Sequence, residues 1–201
     1  KAVISARDIT VNVKDNEKLD IYYKGKLVLS DYETARKKSE KNPYEDLAIA
    51  ELEGHTVGKD EEKTDAVTII KKLGKDDAIY GLGDKPGCLN KRGYSYVNWN
   101  TDDPAPHVDS FKSLYKSIPF FIVLGDEYCY GIFADNTYKT TFDFGYEDTD
   151  YYFVEHEKGE LDYYFMPGND MAEVVGLYTS LTGTTPLYQR WIYGKIGRAH
   201  V

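Results

Sequence analysis

The chain contains few of the residues from which metal centres and disulfide frameworks are built. Among its 201 residues are two cysteines, Cys88 and Cys129, and four histidines. Two cysteines are too few for a disulfide framework, neither has the spacing of a metal ligand, and no two histidines lie four residues apart. We therefore expect no metal site and no cofactor. Free thiols in a reducing, cytoplasmic environment are the simpler interpretation, and a Cys88–Cys129 bridge stays open.

Long apolar runs and an excess of positive charge are also missing. No stretch approaches the roughly 20 apolar residues that a membrane-spanning helix needs. Acidic residues outnumber basic ones by 34 to 25, which gives a formal net charge of −9. Such a surface repels the phosphate backbone of nucleic acids. Membrane and nucleic-acid partners are therefore not expected, and a neutral ligand is more compatible with the charge.

Aromatic residues, in contrast, are abundant, with 19 Tyr and 8 Phe against 2 Met. Aromatic side chains favour strands, and short apolar or alternating segments recur between turns. This pattern predicts a mainly β chain folded as an antiparallel sandwich. Strands are predicted at 9–13, 19–23, 26–29, 67–71, 118–124, 128–134, 138–144, 151–154 and 161–166. The nearly continuous apolar run at 118–124 also predicts burial on both faces of its strand.

Three other segments have a different character. Residues 31–64 are highly charged, and we predict a surface loop there, with one short strand near Leu47 to Leu52. Residues 170–181 have helical periodicity, with Asp170 as the predicted N-cap, Glu173 reaching back in a capping box, and Gly183 ending the helix. The apolar stripe of this helix consists of Met171, Val174, Val175, Tyr178 and Leu181.

The most informative motifs lie within residues 80–121. Gly81 and Gly83 follow a strand, but the third glycine and the helix of a dinucleotide site are missing, so a tight turn is the better interpretation. Aromatic rings can cover the C–H face of a sugar, and a carboxylate can accept hydrogen bonds from two neighbouring hydroxyls. The mixture of residues therefore fits a carbohydrate. The motifs are Tyr80-Gly81-Leu82-Gly83-Asp84-Lys85, Leu89-Asn90-Lys91-Arg92-Gly93, Trp99-Asn100-Thr101-Asp102 and Leu114-Tyr115-Lys116-Ser117-Ile118-Pro119-Phe120-Phe121.

These motifs, in this order, resemble the region before the catalytic barrel in glycoside hydrolase family 31, the α-glucosidases and α-xylosidases. The resemblance covers residues 65–194 well and 1–64 loosely. It implies a galactose-mutarotase-like β-sandwich at 1–168 and a linking helix at 169–183. It also implies the first strand of a (β/α)8 barrel within 184–194, where Trp191-Ile192-Tyr193-Gly194 has the apolar character of a strand.

The resemblance implies that the parent protein is a retaining α-glycosidase. Such an enzyme hydrolyses terminal α-linked glucose or xylose from oligosaccharides. Both catalytic aspartates of this family lie on the barrel, beyond the matching part of the chain. We therefore assign no catalytic residue, and we expect the chain alone to be inactive because it lacks both the nucleophile and the general acid.

The last residues of the chain look like translated sequencing adapter. Ile196-Gly197-Arg198-Ala199-His200-Val201 corresponds to one reading frame of a common short-read sequencing adapter, which continues into a stop codon. The codon of Lys195 straddles the junction. We therefore leave 195–201 out of the fold prediction and expect a longer parent protein. Lys1 at the first position, in place of Met, agrees with this expectation.

The candidate sugar contacts lie in one loop. By residue-by-residue match, Asp102 corresponds to the family's loop aspartate that hydrogen-bonds the sugar, and the adjacent Asp103 is the alternative. Asp also commonly starts a turn, so Asp102 has a competing structural role before Pro104. Trp99 either stacks on a sugar ring or packs against the neighbouring barrel, and packing is favoured. The nearby Lys91 and Arg92 are expected to form ion pairs.

Two other functions compete with the glycosidase fragment. The first is a free-standing carbohydrate-binding sandwich, and the second is a scaffold or dimer surface that would make the protein a homo-oligomer. A free-standing module has no need for the capped helix and the apolar segment at 184–194. That segment therefore favours the glycosidase.

Overall fold

Two antiparallel sheets face each other in the computed structural model, which describes residues 1–38, 66–104 and 106–193. The strands are β1 (Ala2–Ala6), β2 (Ile9–Val13), β3 (Leu19–Tyr23), β4 (Lys26–Lys38), β5 (Ala66–Lys72), β6 (Ala78–Gly81), β7 (Ser95–Asn98), β8 (Phe120–Leu124), β9 (Cys129–Ala134), β10 (Thr140–Asp143), β11 (Tyr151–His156) and β12 (Tyr163–Gly168). Eight strands form the larger sheet in the order β1-β2-β3-β4-β5-β11-β10-β7, and four form the smaller one in the order β12-β9-β8-β6. The predicted antiparallel sandwich is confirmed.

Aromatic rings fill the space between the two sheets. The ring of Phe121 on the smaller sheet lies 4.9 Å from that of Phe144 and 5.5 Å from that of Tyr152, measured between centroids. The hydroxyls of Tyr130 and Tyr152 are 3.4 Å apart within the core, and burial raises the pKa of both phenols. The abundance of tyrosine and phenylalanine in the sequence therefore corresponds to the core of the sandwich.

Strand β8 is buried on both of its faces, as the sequence predicted. Phe121 and Val123 point into the space between the sheets. Phe120 and Ile122, which alternate with them, belong to a second apolar cluster on the outer side of the smaller sheet. The helix α1 (Met171–Thr182) covers this outer side and contacts β8, β9 and β12.

Helix α1 begins and ends at the predicted residues. The Asp170 carboxylate accepts a hydrogen bond from the Glu173 amide at 2.8 Å. The Glu173 carboxylate reaches back to the Asn169 amide at 2.7 Å, one residue before the N-cap. Gly183 ends the helix with φ 84° and donates its N–H to the Thr179 carbonyl at 2.8 Å. No helix in the described ranges is long and apolar enough to cross a membrane.

The apolar stripe of α1 is narrower than predicted. Val174 is fully buried, and the Tyr178 ring stacks on Phe120 with 4.0 Å between centroids. Val175 and Leu181 are exposed, so the prediction is wrong for these two residues. The main contacts of the helix in the described part of the chain are with β8, β9 and β12, and a stripe that includes Met171, Val174 and Tyr178 covers them.

The N-terminal half departs most from the prediction. Strand β1 was not predicted, and β4 continues to Lys38, so residues 31–38 form a strand and not a loop. The pairing of β4 with β5 shifts register between Asp31 and Glu33 and again between Glu33 and Arg36. Such bulges interrupt the alternation by which a strand is recognised in a sequence. The strand predicted near Leu47 to Leu52 lies outside the described residues.

The segment predicted to begin the barrel is also different. Arg190–Tyr193 forms a short 3-10 helix, in which the Ile192 amide donates to the Gln189 carbonyl at 3.0 Å. A strand needs a neighbouring strand for its backbone hydrogen bonds, and none of the described strands pairs with this segment. The backbone of this segment therefore makes local hydrogen bonds of the 3-10 type and not bonds to a neighbouring strand.

The two cysteines do not form the bridge that the sequence left open. Cys129 is buried in β9 and Cys88 is exposed in the loop after β6, and both are free thiols. Burial raises the pKa of the Cys129 thiol to about 11, so this side chain is a neutral, apolar part of the outer cluster. Free thiols agree with the simpler of the two interpretations.

The packing of α1 on the sheet makes a testable prediction about two glycines. A Cβ at Gly131 would lie 2.7 Å from both Phe120 and Val174, whereas Gly176 has no atom within 4 Å of that position. Gly131→Ala should lower the free energy of unfolding by about 1–3 kcal/mol because it forces the helix away from β9. The matched control Gly176→Ala should raise it by roughly 0.5–1 kcal/mol through helix propensity. Urea unfolding measures both, and a harmless Gly131→Ala would contradict this packing.

Candidate functional site

The glycine turn after β6 fixes the start of the candidate loop. Gly81, Leu82 and Gly83 have φ values of 139°, 69° and 81°. A Cβ at Gly81 would lie 2.5 Å from the Phe120 carbonyl oxygen, and one at Gly83 would lie 2.5 Å from the Lys116 carbonyl oxygen. The turn therefore requires glycine for close backbone contact, as the sequence predicted, and not for phosphate binding.

After the glycine turn the chain makes an excursion through residues 84–119 before it enters β8. Lys85 holds the two sides of this excursion together. Its side chain is only 8% exposed, and its ammonium donates to the Leu114 carbonyl at 2.9 Å and lies 3.5 Å from the Val97 carbonyl. Burial lowers the pKa of this ammonium to about 8. This role of Lys85 was not predicted, because the carbonyl partners are 12 and 29 residues away in sequence.

Lys91 is a second buried cation in the same loop. Its ammonium donates to the carbonyls of Lys85 at 3.1 Å and Pro86 at 3.0 Å, and it lies 5.3 Å from the centroid of the Tyr96 ring. The Tyr96 hydroxyl donates to the same Pro86 carbonyl at 2.7 Å. Burial lowers the pKa of Lys91. The cation thus satisfies carbonyl oxygens that the turning backbone leaves without strand partners.

Arg92 likewise binds backbone oxygens. Its guanidinium donates to the carbonyls of Gly74 at 2.6 Å, Asp77 at 3.2 Å and Thr149 at 3.2 Å. Among the described residues neither Lys91 nor Arg92 forms a salt bridge, so the predicted ion pairs are not found there. The five N–H donors of the guanidinium let Arg92 bind the turn at 74–77 and the carbonyl of Thr149 at the same time.

The carboxylate of Asp102 lies at the surface beside an aromatic ring. Asp102 is exposed, in the segment that follows β7, and the Tyr115 phenol lies beside it. Interaction with the Asp102 carboxylate is the main reason why the pKa of the Tyr115 phenol is raised. Tyr115 was not predicted as a site residue, although it belongs to the motif at residues 114–121. Asp102 is 13 residues away in sequence, and only the folded loop brings the two together.

Asp103 and Trp99 have different surroundings. Asp103 is half-buried, and its backbone carbonyl lies 2.9 Å from Nε2 of His107. Trp99 is 56% exposed, while its backbone carbonyl accepts hydrogen bonds from the hydroxyls of Thr101, at 3.1 Å, and Ser113. The loop therefore presents the Asp102 carboxylate and the Trp99 ring at the surface and holds their backbone from beneath.

A surface pocket of about 420 Å³ lies next to the glycine turn. It is lined by Gly81, Gly83, Lys85, Gly87, Leu89 and Lys91. Its lining does not include the three predicted contact residues. Asp102 and Trp99 are thus on an open surface, and a second surface opposite them would be needed to enclose a sugar.

Comparison with known proteins assigns the family. The model of the glycosyl hydrolase 31 N-terminal galactose mutarotase-like domain matches residues 1–143. The chain belongs to this family. The two-sheet sandwich of the structure is the fold that the family name describes, so the predicted family and fold class are both confirmed.

The relatives of this family 31 domain are carbohydrate-active enzymes. An α-glucosidase of Bacillus thermoamyloliquefaciens is 44% identical over 128 residues, which are 64% of this chain and 16% of that enzyme. An α-xylosidase of Lactiplantibacillus pentosus is 34% identical over 122 residues, or 61% of this chain and 15% of that enzyme. A family 31 dextranase of Flavobacterium johnsoniae, solved with isomaltotriose, is 34% identical with a TM-score of 0.61, and the match covers 89% of this chain and 20% of the dextranase. The chain thus spans about a sixth of the length of the two curated relatives.

The buried Lys85 makes the stability of the family 31 domain depend on pH. Its folded pKa of about 8 is below the ordinary value of 10.5. Between these two values the folded state has released the proton while the unfolded state keeps it, so stability should rise with pH across this window. We expect a rise on the order of 1–3 kcal/mol that is absent from Lys85→Met.

Urea unfolding at pH 7.5 and pH 10.5 measures this effect. Tyrosines also titrate at high pH, so the relevant quantity is the difference between the variant and the unchanged chain. Lys75→Met, at an exposed position, is the matched control and should keep the full rise. If the stability of Lys85→Met rises with pH as much as that of the control, the pKa of Lys85 in the folded chain is not lowered.

Proposed function

We propose that the chain is the N-terminal part of a retaining α-glycosidase that hydrolyses terminal α-linked glucose or xylose from oligosaccharides. Membership of family 31 and the α-glucosidase and α-xylosidase relatives support this proposal. The observation that carries it is the exposed Asp102 carboxylate, which lies beside Tyr115 on a loop that buried lysines fix in place. In the proposed enzyme this loop contacts the sugar.

The residues of the loop fit contact with the substrate better than catalysis. Retaining hydrolysis needs two carboxyl groups about 5–5.5 Å apart, one as nucleophile and one as acid and base. Asp102 is exposed at the surface, beside the phenol of Tyr115. We therefore propose that the catalytic aspartates lie in the rest of the parent protein and that none lies in this chain.

Each group of the loop has a defined part in the proposed contact. The Asp102 carboxylate has lone pairs left to accept hydrogen bonds from two neighbouring sugar hydroxyls, while Tyr115 orients it. The exposed ring of Trp99 either covers a sugar face or packs on the adjoining domain. Lys85 fixes the loop before the substrate binds, which lowers the ordering cost of binding.

An apolar surface supports a larger parent over a free-standing binding module. Helix α1 and the following segment expose a series of large apolar side chains, of which Leu187 is 95% exposed. Several large apolar side chains exposed within one short stretch of chain favour contact with another surface. The series consists of Val175, Leu177, Leu181, Leu187, Trp191 and Ile192. We propose that the remainder of the parent enzyme covers it.

Two further properties are part of the proposal. The same apolar surface would let the isolated chain associate into a homo-oligomer, which sedimentation at several concentrations would show by a rising mass. The two free thiols favour a cytoplasmic location. Fractionation of the source cells tests this location, and detection of the protein in a periplasmic or secreted fraction would overturn it.

The Asp102 contact can be tested in an active enzyme. The α-glucosidase of Bacillus thermoamyloliquefaciens can receive residues 1–168 of this chain, which contain both complete sheets, in place of its own corresponding region. In that chimera, Asp102→Asn should lower kcat/KM for an aryl α-glucoside about 10- to 100-fold, which corresponds to roughly 1.4–3 kcal/mol for one lost charged hydrogen bond. Steady-state kinetics with glucoside and xyloside substrates measure the loss.

Two controls accompany this experiment. Asp109→Asn changes another exposed carboxylate of the same excursion and should leave kcat/KM unchanged. The chain alone should show no hydrolysis of the same substrates. Equal kinetics of the Asp102 and Asp109 variants would reduce Asp102 to a turn residue, and mutation-sensitive turnover by the chain alone would overturn the proposed location of the catalytic groups.

A further inference from the structure

Three buried polar residues lie side by side on the larger sheet. Asn98 on β7 pairs with Thr140 on β10, and Thr140 pairs with His156 on β11. All three share the core-facing side of the sheet, because they lie two residues along their strands from residues of the main core. Those core residues are Tyr96, Phe142 and Val154. A polar row thus continues an apolar one inside the sandwich.

The hydrogen bonds of Thr140 fix the protonation of His156. The Thr140 hydroxyl donates its only hydrogen to the Tyr138 carbonyl at 2.9 Å. The same oxygen lies 2.8 Å from Nδ1 of His156. With its hydrogen directed at the Tyr138 carbonyl, it accepts this second bond from Nδ1–H. Burial lowers the pKa of the histidine and keeps it neutral. Nε2 is therefore a bare acceptor, and no donor among the described residues reaches it.

The side-chain amide of Asn98 also lacks hydrogen-bond partners in the described ranges. It is 7% exposed, and within the described part of the chain neither its amide nitrogen nor its amide oxygen has a protein partner. A buried polar group left without any partner costs about 1–3 kcal/mol. Nε2 of His156 needs a donor, and the Asn98 amide needs both a donor and an acceptor.

We propose that an internal water molecule binds between Asn98 and His156. Adjacent strands are about 4.8 Å apart, so the two residues are separated by roughly 10 Å of sheet, with the shorter Thr140 side chain between them. One water can donate to Nε2 of His156 and exchange hydrogen bonds with the Asn98 amide. These three protein atoms provide the two to four partners that a buried water requires.

The water site connects the core to the candidate loop. Asn98 is the last residue of β7, and Trp99 follows it directly. The water therefore fixes the base of the segment that holds Asp102. This consequence for the loop rests on the proposed function, whereas the water site itself does not.

The sign of a stability change tests the site. With the water bound, Asn98→Leu removes satisfied hydrogen bonds and should lower the urea midpoint of the chain. Asn90→Leu is the matched control, because the Asn90 side chain accepts from the amides of Ile79 at 2.9 Å and Arg92 at 3.1 Å and must lose stability. An unchanged or higher midpoint for Asn98→Leu would overturn the proposal, since an unsatisfied amide would then have been replaced by a harmless apolar group.

A measurement on the unchanged chain covers the case in which Asn98→Leu does not fold. Long-range ¹H–¹⁵N correlation spectra should show His156 with its proton on Nδ1, and a water cross-peak should reach the Asn98 side-chain amide. A proton on Nε2, or the absence of the water cross-peak, would rule the site out. Neither readout involves sugar binding, so failure here is distinct from failure of the proposed function.

Discussion

The burial of β8 on both faces is the constraint on which the rest of the structure depends. Alternate side chains of this strand enter the sandwich core and the cluster beneath α1, so neither face tolerates a polar residue. Its neighbours must also come very close. Gly81 on β6 and Gly131 on β9 lack the Cβ atoms that would collide with the Phe120 carbonyl and the Phe120 ring. The strand thereby determines where the helix lies and where the chain can turn.

The candidate loop takes its position from the same strand. It leaves β6 by a turn in which the Leu82 amide binds the Phe120 carbonyl, and it returns into β8 through Pro119. Between these points Lys85 connects the two sides through carbonyl oxygens. Burying a cation against neutral oxygens is costly, since no full negative charge offsets the lost hydration. Its benefit is a loop with a fixed shape at the surface.

The features that the sequence predicted correctly depend on local signals. Asp170 and Gly183 mark the ends of α1 through contacts within four residues, and the apolar run of β8 can be recognised without its neighbours. The errors concern contacts distant in sequence. Bulges hide the long strand β4, and Lys85 and Arg92 bind carbonyls that lie 12 to 57 residues away in sequence. Tyr115 and Asp102 likewise come together only once the loop between β7 and β8 has folded.

The exposure of Asp102 bears on whether this surface can bind a sugar by itself. A net hydrogen bond in water contributes about 1 kcal/mol, and a stacked ring contributes on the order of 1 kcal/mol more. Association costs at least about 4 kcal/mol in lost translational and rotational freedom. Two or three such contacts on an open loop therefore leave no useful affinity. The same contacts become significant when an opposing wall excludes water and shares the cost, which favours a loop that completes a larger active site over a free-standing binding module.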